Sequence, residues 1–246
     1  LRPHEGVMAS SVKLLTRSIV ETGVQKNPII VDARTGVILD GMHRWHALRA
    51  AGARYAAACL VDYSDPRIRP GRGIRLFPDA SYVPSWLRGW LGGLCDPHDA
   101  LSRGRPFLYI RGKAWELLLP RNKLRAMSKL RRAERALRKV FGRAVYVPDA
   151  LPEKGLALVP PRLGKEDVVS VALSGVVFPP KSTRHEIPVR PLYLNVPLNL
   201  LRSSEPPDVV SEALASLLAS KVVVEAPLGV TAEREYRESV LIFWGW

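Results

Sequence analysis

The chain has 246 residues, 37 Lys and Arg against 23 Asp and Glu, a net charge of +14 and 47% hydrophobic residues, which excludes a disordered chain and suffices for the core of one large domain or two small ones. Two cysteines, Cys59 and Cys95, are too few for a disulfide framework and lack zinc-cluster spacing, which points to a reducing compartment. No run approaches the roughly 20 apolar residues of a membrane span and no charged-then-apolar leader opens the text, so a cytoplasmic location is expected.

Residues 9–22 read as a first helix, with Ser caps, apolar residues at Val12, Leu15, Ile19 and Val20, and Gly23 as terminator. A hairpin follows: Pro28 opens a strand, Ile29 to Val31 carry β-branched side chains, Arg34-Thr35-Gly36 turns, and Val37 to Leu39 return. Asp40 and Gly41 end that strand and MHRWHALRAAG continues as a short helix closed by Gly52. Residues 57–61 read as another strand, and the Pro-, Gly- and Trp-rich stretch to about Pro106 as a long connecting loop region in which Trp86 and Trp90 are packing residues.

Two strands, Phe107 to Ile110 and Ala114 to Leu119, precede a basic helix over 121–141. Pro120 can open it, Gly142 can end it, and Leu124, Met127, Leu130, Leu137 and Phe141 recur at helical spacing. Between Arg103 and Arg143 there are fourteen basic residues against Glu116 and Glu134, so this one segment holds +12 of the net +14. A solvated helix whose arginine stems cover apolar surface is the plainer reading of this charge, and a phosphate-backbone contact the sharper one. Two strands follow (Ala144 to Val147 and Gly155 to Val159), then Lys165 to Ser174 as helix or strand. A Pro-rich crossing, a helix from Asp208 to Ala219 and strands Val222 to Glu225 and Ser239 to Trp244 complete the chain. The expected organisation is an α/β unit over 1–63, a connecting region over 64–105 and an α+β unit over 106–246.

Three motifs can carry chemistry. Pro3-His4-Glu5 stands just before the first helix, where a carboxylate also suits the helix dipole. Asp40-Gly41-Met42-His43-Arg44-Trp45 places an acid at a strand end, a Gly that permits close approach, and His and Arg on a first helical turn, an arrangement suited to phosphate. His43 and His46 are three apart, but with no third ligand nearby no protein-built metal site is expected. In the run from Val177 to Pro188, prolines bracket five consecutive polar residues, Lys181, Ser182, Thr183, Arg184 and His185. They offer two hydroxyls, two fixed cations and an imidazole to a small anionic ligand.

Over roughly its first sixty residues the text resembles the ParB/sulfiredoxin-type domain, a fold that hosts several activities. Met42 stands where the sulfiredoxin run Gly-Cys-His-Arg has its Cys, which excludes that activity. The arginine-rich box and helix-turn-helix of a chromosome-partitioning ParB are not evident, and a ParB-like DNA-binding protein is the alternative reading. From about Leu1 to Pro191 the chain resembles the archaeal free L-serine kinases, through the Asp-Gly-x-His-Arg-Trp run and the run from Phe178 to Pro188. That resemblance implies a ParB-like domain joined to a second α+β domain with the active site in the cleft between them. It further implies transfer of a phosphoryl group from ADP or ATP to L-serine, with Mg²⁺ carried by the phosphates, in serine and cysteine metabolism. By position, Glu5 takes the role of base on the serine hydroxyl, and Asp40 and His43 are the further catalytic residues that the resemblance implies. Asp40, Gly41, Met42, His43 and Arg44 take the nucleotide phosphates, with Lys181 and Arg184 as further cations. Ser182, Thr183, Arg184 and His185 take the amino acid and the transferred group, and Phe77 is the nearest candidate for an aromatic wall of the serine pocket. The expected partners are serine and nucleotide, with no membrane, and with nucleic acid only through the basic helix.

Overall fold

The computed structural model describes residues 1–147, 150–226, 230–231, 234–235 and 238–245. The chain divides into two compact units, one of Leu1–Pro3, Val7–Arg69 and Glu186–Trp246, the other of His4–Gly6 and Pro70–His185. These units do not follow the sequence-read boundaries near 63 and 106. Residues after Glu186 return to the first unit, where Val196–Pro197 pairs antiparallel with Val24–Gln25, two short strands with no sequence signature. No helix among the described residues is long and apolar enough to cross a membrane.

In the first unit Ile29–Asp32 is the central strand, antiparallel to Ile38–Asp40 and parallel to Ala58–Val61. All four of its residues are buried, which is why Ile29 to Val31 read as an unbroken β-branched run. Asp32 fastens the hairpin by accepting bonds from Thr35 N at 3.1 Å, Thr35 Oγ1 at 2.5 Å and Tyr63 N at 3.1 Å. The helices Ala9–Thr22 and Met42–Ala50 cover this sheet, with Ile19, Met42, Ala47 and Leu48 in the same apolar cluster as Ile29, Val31 and Ile38. The first helix is not capped by serine as expected. Its N-cap is Met8, which makes no side-chain cap bond, while Gly23 ends it at φ 68° as read. The returning chain adds a second sheet in which Val189–Leu192 lies parallel and Val222–Ala226 antiparallel to Ser239–Trp244.

In the second unit six antiparallel strands run in the order Val145–Val147, Ile74–Phe77, Leu156–Val159, Phe107–Ile110, Lys113–Leu117, Leu91–Cys95. The helix Lys123–Phe141, capped by Asn122 rather than opened by Pro120, lays Met127, Leu130 and Leu137 against Phe77, Leu108, Leu156 and Leu158. Lys165–Leu173 is helical. The stretch read as a connecting loop contains the strands Arg69–Arg72, Ile74–Phe77 and Leu91–Cys95 and the short helices Ser85–Arg88 and Pro97–Ser102. The stretch is rich in proline and glycine, and its apolar alternation is broken by Arg75, a charged residue that is nevertheless fully buried.

Arg75 is tolerated there because Glu134, on the long helix, is equally buried. Arg75 Nε lies 3.4 Å from Glu134 Oε2, and its Nη1 donates to Gly73 O at 2.7 Å. Glu134 Oε1 also accepts from Arg131 at 2.7 Å and from the Tyr146 hydroxyl at 2.6 Å, and Arg138 lies 2.7 Å away. Burial on its own would raise the Glu134 pKa. The bonds from Tyr146 and Arg131 and the charge of Arg75 outweigh it and hold the carboxyl below its ordinary value.

Candidate active site

In the second unit, residues His4–Gly6 lie alongside Phe178, with Phe178 N donating to His4 O at 2.9 Å and Gly6 N to Phe178 O at 2.8 Å. Phe178 is anchored in the apolar core, so both segments have a fixed base. Glu5, which is 7% exposed, is thereby aimed into the polar run. Its Oε1 accepts from Lys181 N at 2.9 Å, and its Oε2 from Thr183 N at 2.9 Å and Thr183 Oγ1 at 3.2 Å. A carboxylate has about four acceptor positions. Three are filled, and the one left over on Oε1 can take a hydroxyl proton.

Around that carboxylate, His4 Nε2 and Thr183 Oγ1 are 2.8 Å apart, and the rings of His4 and His185 meet edge to face at 5.3 Å. His4 was singled out in the sequence only as part of a weak tripeptide. Lys181 adopts φ 63°, which turns the chain so that two consecutive odd-numbered amides reach one carboxylate. The Ser182 hydroxyl donates to Pro179 O at 2.6 Å and is buried, so in this arrangement it closes the turn rather than facing a ligand. From Thr183 the chain is a strand, Thr183–Glu186.

Two glycines missed in the sequence make this turn feasible. A β-carbon on Gly73 would stand 2.3 Å from Lys181 O, and one on Gly71 would stand 2.7 Å from Arg184 O. Both obstacles are backbone, so neither can swing aside. Gly73→Ala is expected to displace the Lys181 carbonyl, lower activity at least tenfold and cost about 1–3 kcal/mol of stability. Turnover and urea unfolding of this variant check it, and full activity would show that the turn geometry is dispensable. Arg75 also belongs to this neighbourhood, since Glu5 is among the anions whose charge supports its buried guanidinium.

Phe77 is not available to a substrate. It is 0% exposed and packs among Leu108, Leu156 and Met127, because Ile74–Phe77 is an interior strand of the six-stranded sheet and not a loop. This corrects its expected place in a serine pocket.

In the first unit, Asp40 ends its strand and Gly41, at φ 93°, is the N-cap of Met42–Ala50. At this φ any side chain is strained, and a β-carbon would also come within 2.7 Å of Arg44 Nη1 and 3.3 Å of Ile29 Cα, so glycine is strongly favoured. The N-terminal turn of a helix presents N–H groups and positive dipole, which suits a phosphate. Met42 can contribute only its backbone, for its side chain is buried in the core. His43 Nε2 accepts from Met8 N at 3.1 Å, which requires that nitrogen to be unprotonated, and Arg44 Nη1 donates to Pro28 O at 2.5 Å. Asp40 Oδ2 accepts from Arg190 Nη1 at 2.8 Å, and Arg190, itself buried, also pairs with Glu238. No sequence motif marked Arg190 as the holder of Asp40, because it lies 150 positions away.

No family model matches the chain. A ParB-like protein of Sulfolobus acidocaldarius is 27% identical to it over 186 residues, covering 75% of this chain and 85% of that protein. An ATP-dependent L-serine kinase of Staphylothermus marinus is 25% identical over 82% of this chain and 88% of its own length. An ADP-dependent L-serine kinase of Thermococcus kodakarensis is 22% identical over 82% and 89%. Among solved structures, a free serine kinase variant in complex with ADP superposes with a TM-score of 0.65 at 21% identity, over 81% of this chain and 90% of that one. SbnI of Staphylococcus aureus, truncated at its C-terminus, gives 0.69 at 18% identity, over 89% and 92%. The fold is thus a mixed α+β fold shared with the free serine kinase and SbnI structures, and the sequence is similar to a ParB-like protein. Within that class, the chain is similar to the archaeal L-serine kinases, as its motifs implied.

Proposed function

We propose that the chain is a free L-serine kinase that transfers a phosphoryl group from ADP or ATP to the hydroxyl of L-serine, giving O-phospho-L-serine. The observation that carries this reading is the Glu5 carboxylate, fixed by the amides of Lys181 and Thr183 with one acceptor position to spare. The similarity to proteins named L-serine kinases supports the substrate and the nucleotide.

In this reading the serine hydroxyl gives its proton to Glu5 as its oxygen attacks the terminal phosphorus, and AMP or ADP leaves. Phosphoryl transfer demands chiefly alignment and charge stabilisation from the protein. Asp40, Gly41, His43, Arg44 and the Met42 amide are assigned to the nucleotide phosphates. Lys181 and Arg184 supply positive charge to the transferred group, and Thr183 and His185 orient the amino acid. Thr183 Oγ1, between His4 and Glu5, holds the carboxylate in place. Ser182 serves by closing the turn that presents the Lys181 and Thr183 amides.

Magnesium fits as an ion that arrives with the nucleotide. Among the described residues no three His, Cys, Asp or Glu side chains form a cage for it, while Mg²⁺ needs only one or two carboxylates beside its phosphate ligands. Asp40 is the carboxylate at the phosphate-binding helix start, and the bound ion would neutralise charge on the transferred group. The reading places the reaction in the cytoplasm, in serine and cysteine metabolism.

The test is direct detection of O-phosphoserine after incubation of the purified protein with L-serine and Mg²⁺, with ADP and ATP supplied in separate reactions. Product with either donor is expected. A folded protein that yields none with both rejects the assignment.

A further inference from the structure

We propose that the outward face of the helix Lys123–Phe141 is a docking surface for double-stranded DNA, gripped through its phosphates and without regard to sequence. This does not depend on the kinase reading. Ten basic residues lie between Arg121 and Arg143, and the structure separates them into two groups.

Four are engaged. Lys123 Nζ is 2.6 Å from Asp167, and Lys129 Nζ donates to Leu118 O at 2.9 Å and stands 4.4 Å from the Trp90 ring centre. Arg131 and Arg138 neutralise the buried Glu134. The other six, Arg121, Arg125, Arg132, Arg135, Lys139 and Arg143, are all exposed, and none makes a side-chain hydrogen bond or ion pair among the described residues. The only acid on the helix is Glu134, and it is fully buried. The exposed face is therefore positive with no compensating charge of its own.

Their spacing makes a line. With Ser128, positions 121, 125, 128, 132, 135, 139 and 143 recur every three or four residues, so those on the helix share one side of it. The 19-residue helix is about 28 Å long, close to the roughly 34 Å of one turn of B-DNA. A regular row of charge of that length matches a polymer of regularly spaced phosphates better than the irregular carboxylates of a folded acidic protein. Five of the six are arginines, whose planar guanidinium binds phosphate through two bonds. No aromatic residue interrupts the row, so it lacks the stacking platform that single-stranded nucleic acid requires. Nor, apart from Ser128, does it carry the neutral polar groups that read 2′-hydroxyls or base edges. Duplex DNA held by its backbone is what remains.

The experiment is fluorescence anisotropy of the full chain with a labelled 24-base-pair DNA, titrated at several salt concentrations between 50 and 200 mM. Six phosphate contacts give a log K against log salt slope of about −5, and Arg132→Gln/Arg135→Gln/Lys139→Gln together make it shallower by about 3. The affinity loss is expected to be equal for unrelated duplex sequences, with circular dichroism unchanged because all three side chains are exposed. A second variant, Arg111→Gln/Lys113→Gln, removes exposed charge outside the row and is expected to leave the slope as it was. The proposal is overturned by absence of binding at 50 mM salt, by an unchanged slope in the triple variant, or by an equal effect of the control pair. Tighter binding of duplex RNA, single-stranded DNA or polyglutamate than of duplex DNA also overturns it.

Discussion

Glu5→Gln is expected to lower kcat for serine phosphorylation by about 10²- to 10⁴-fold, the usual contribution of a positioned general base. The variant keeps the side-chain volume but removes the acceptor that takes the hydroxyl proton. Nucleotide KM is expected to stay within about threefold, because Asp40, Gly41, His43 and Arg44, assigned to the nucleotide phosphates, belong to the other compact unit and only Lys181 and Arg184 share the unit of Glu5. The substitution also has a structural side. Both Glu5 oxygens accept backbone N–H groups, and an amide can serve only one of Lys181 and Thr183, leaving donor facing donor at the other, at about 1–3 kcal/mol. Steady-state kinetics together with urea unfolding separate the two effects. If nucleotide affinity and stability collapse together with turnover, Glu5 is a structural clamp and not the base.

Glu134→Ala is expected to cost about 3–5 kcal/mol, the range found when one partner of a buried ion pair is removed. Arg131 and Arg138 can turn towards water, but Arg75 is 0% exposed and would keep its charge in the core without the counter-ion beside it. Removing the whole set should be milder: Arg75→Met with Glu134→Leu is expected to recover most of the loss, since well-packed apolar residues replace buried pairs at little cost. Urea unfolding of the three proteins tests this, and a single-variant loss below about 1 kcal/mol would show that Arg75 finds another partner. The pH dependence has a definite sign. Because the folded Glu134 pKa lies below its unfolded value, the stabilisation is fully present above the unfolded value and is lost as pH falls through the folded one. The Ala variant should therefore lose less stability on acidification than the parent.

The sequence was most legible where structure is local. The hairpin and the helix that follows Gly41 were visible because β-branched residues, a turn and a glycine at φ 93° act within a dozen positions. The basic helix was visible because its apolar residues repeat at helical spacing, and its end at Gly142 was read correctly. The strand Ile74–Phe77 was hidden because it has Arg75 where an apolar residue was expected, and the partners that make that burial tolerable, Glu134 first among them, lie on other elements. Phe77 was misplaced for the same reason: with its strand unseen, an aromatic residue in apparent loop looked like a pocket wall. Arg190 gave no signal, since it acts on Asp40 from a strand that follows the last motif.

By itself, then, the sequence determined the two polar motifs, the elements that carry them and the concentration of charge between Arg103 and Arg143, because each rests on neighbouring residues and on periodicity. It also named Glu5 as the base, but by position in a motif and not by any contact. Only the tertiary structure decided that Glu5 is held by amides 176 and 178 residues away, that Gly71 and Gly73 make room for that turn, and that Met42 and Phe77 face the core. It alone divided the basic helix into charges already neutralised and charges left to solvent. Hydrogen bonds and ion pairs between distant segments have no period in the sequence, and they exist only once packing has brought their partners together.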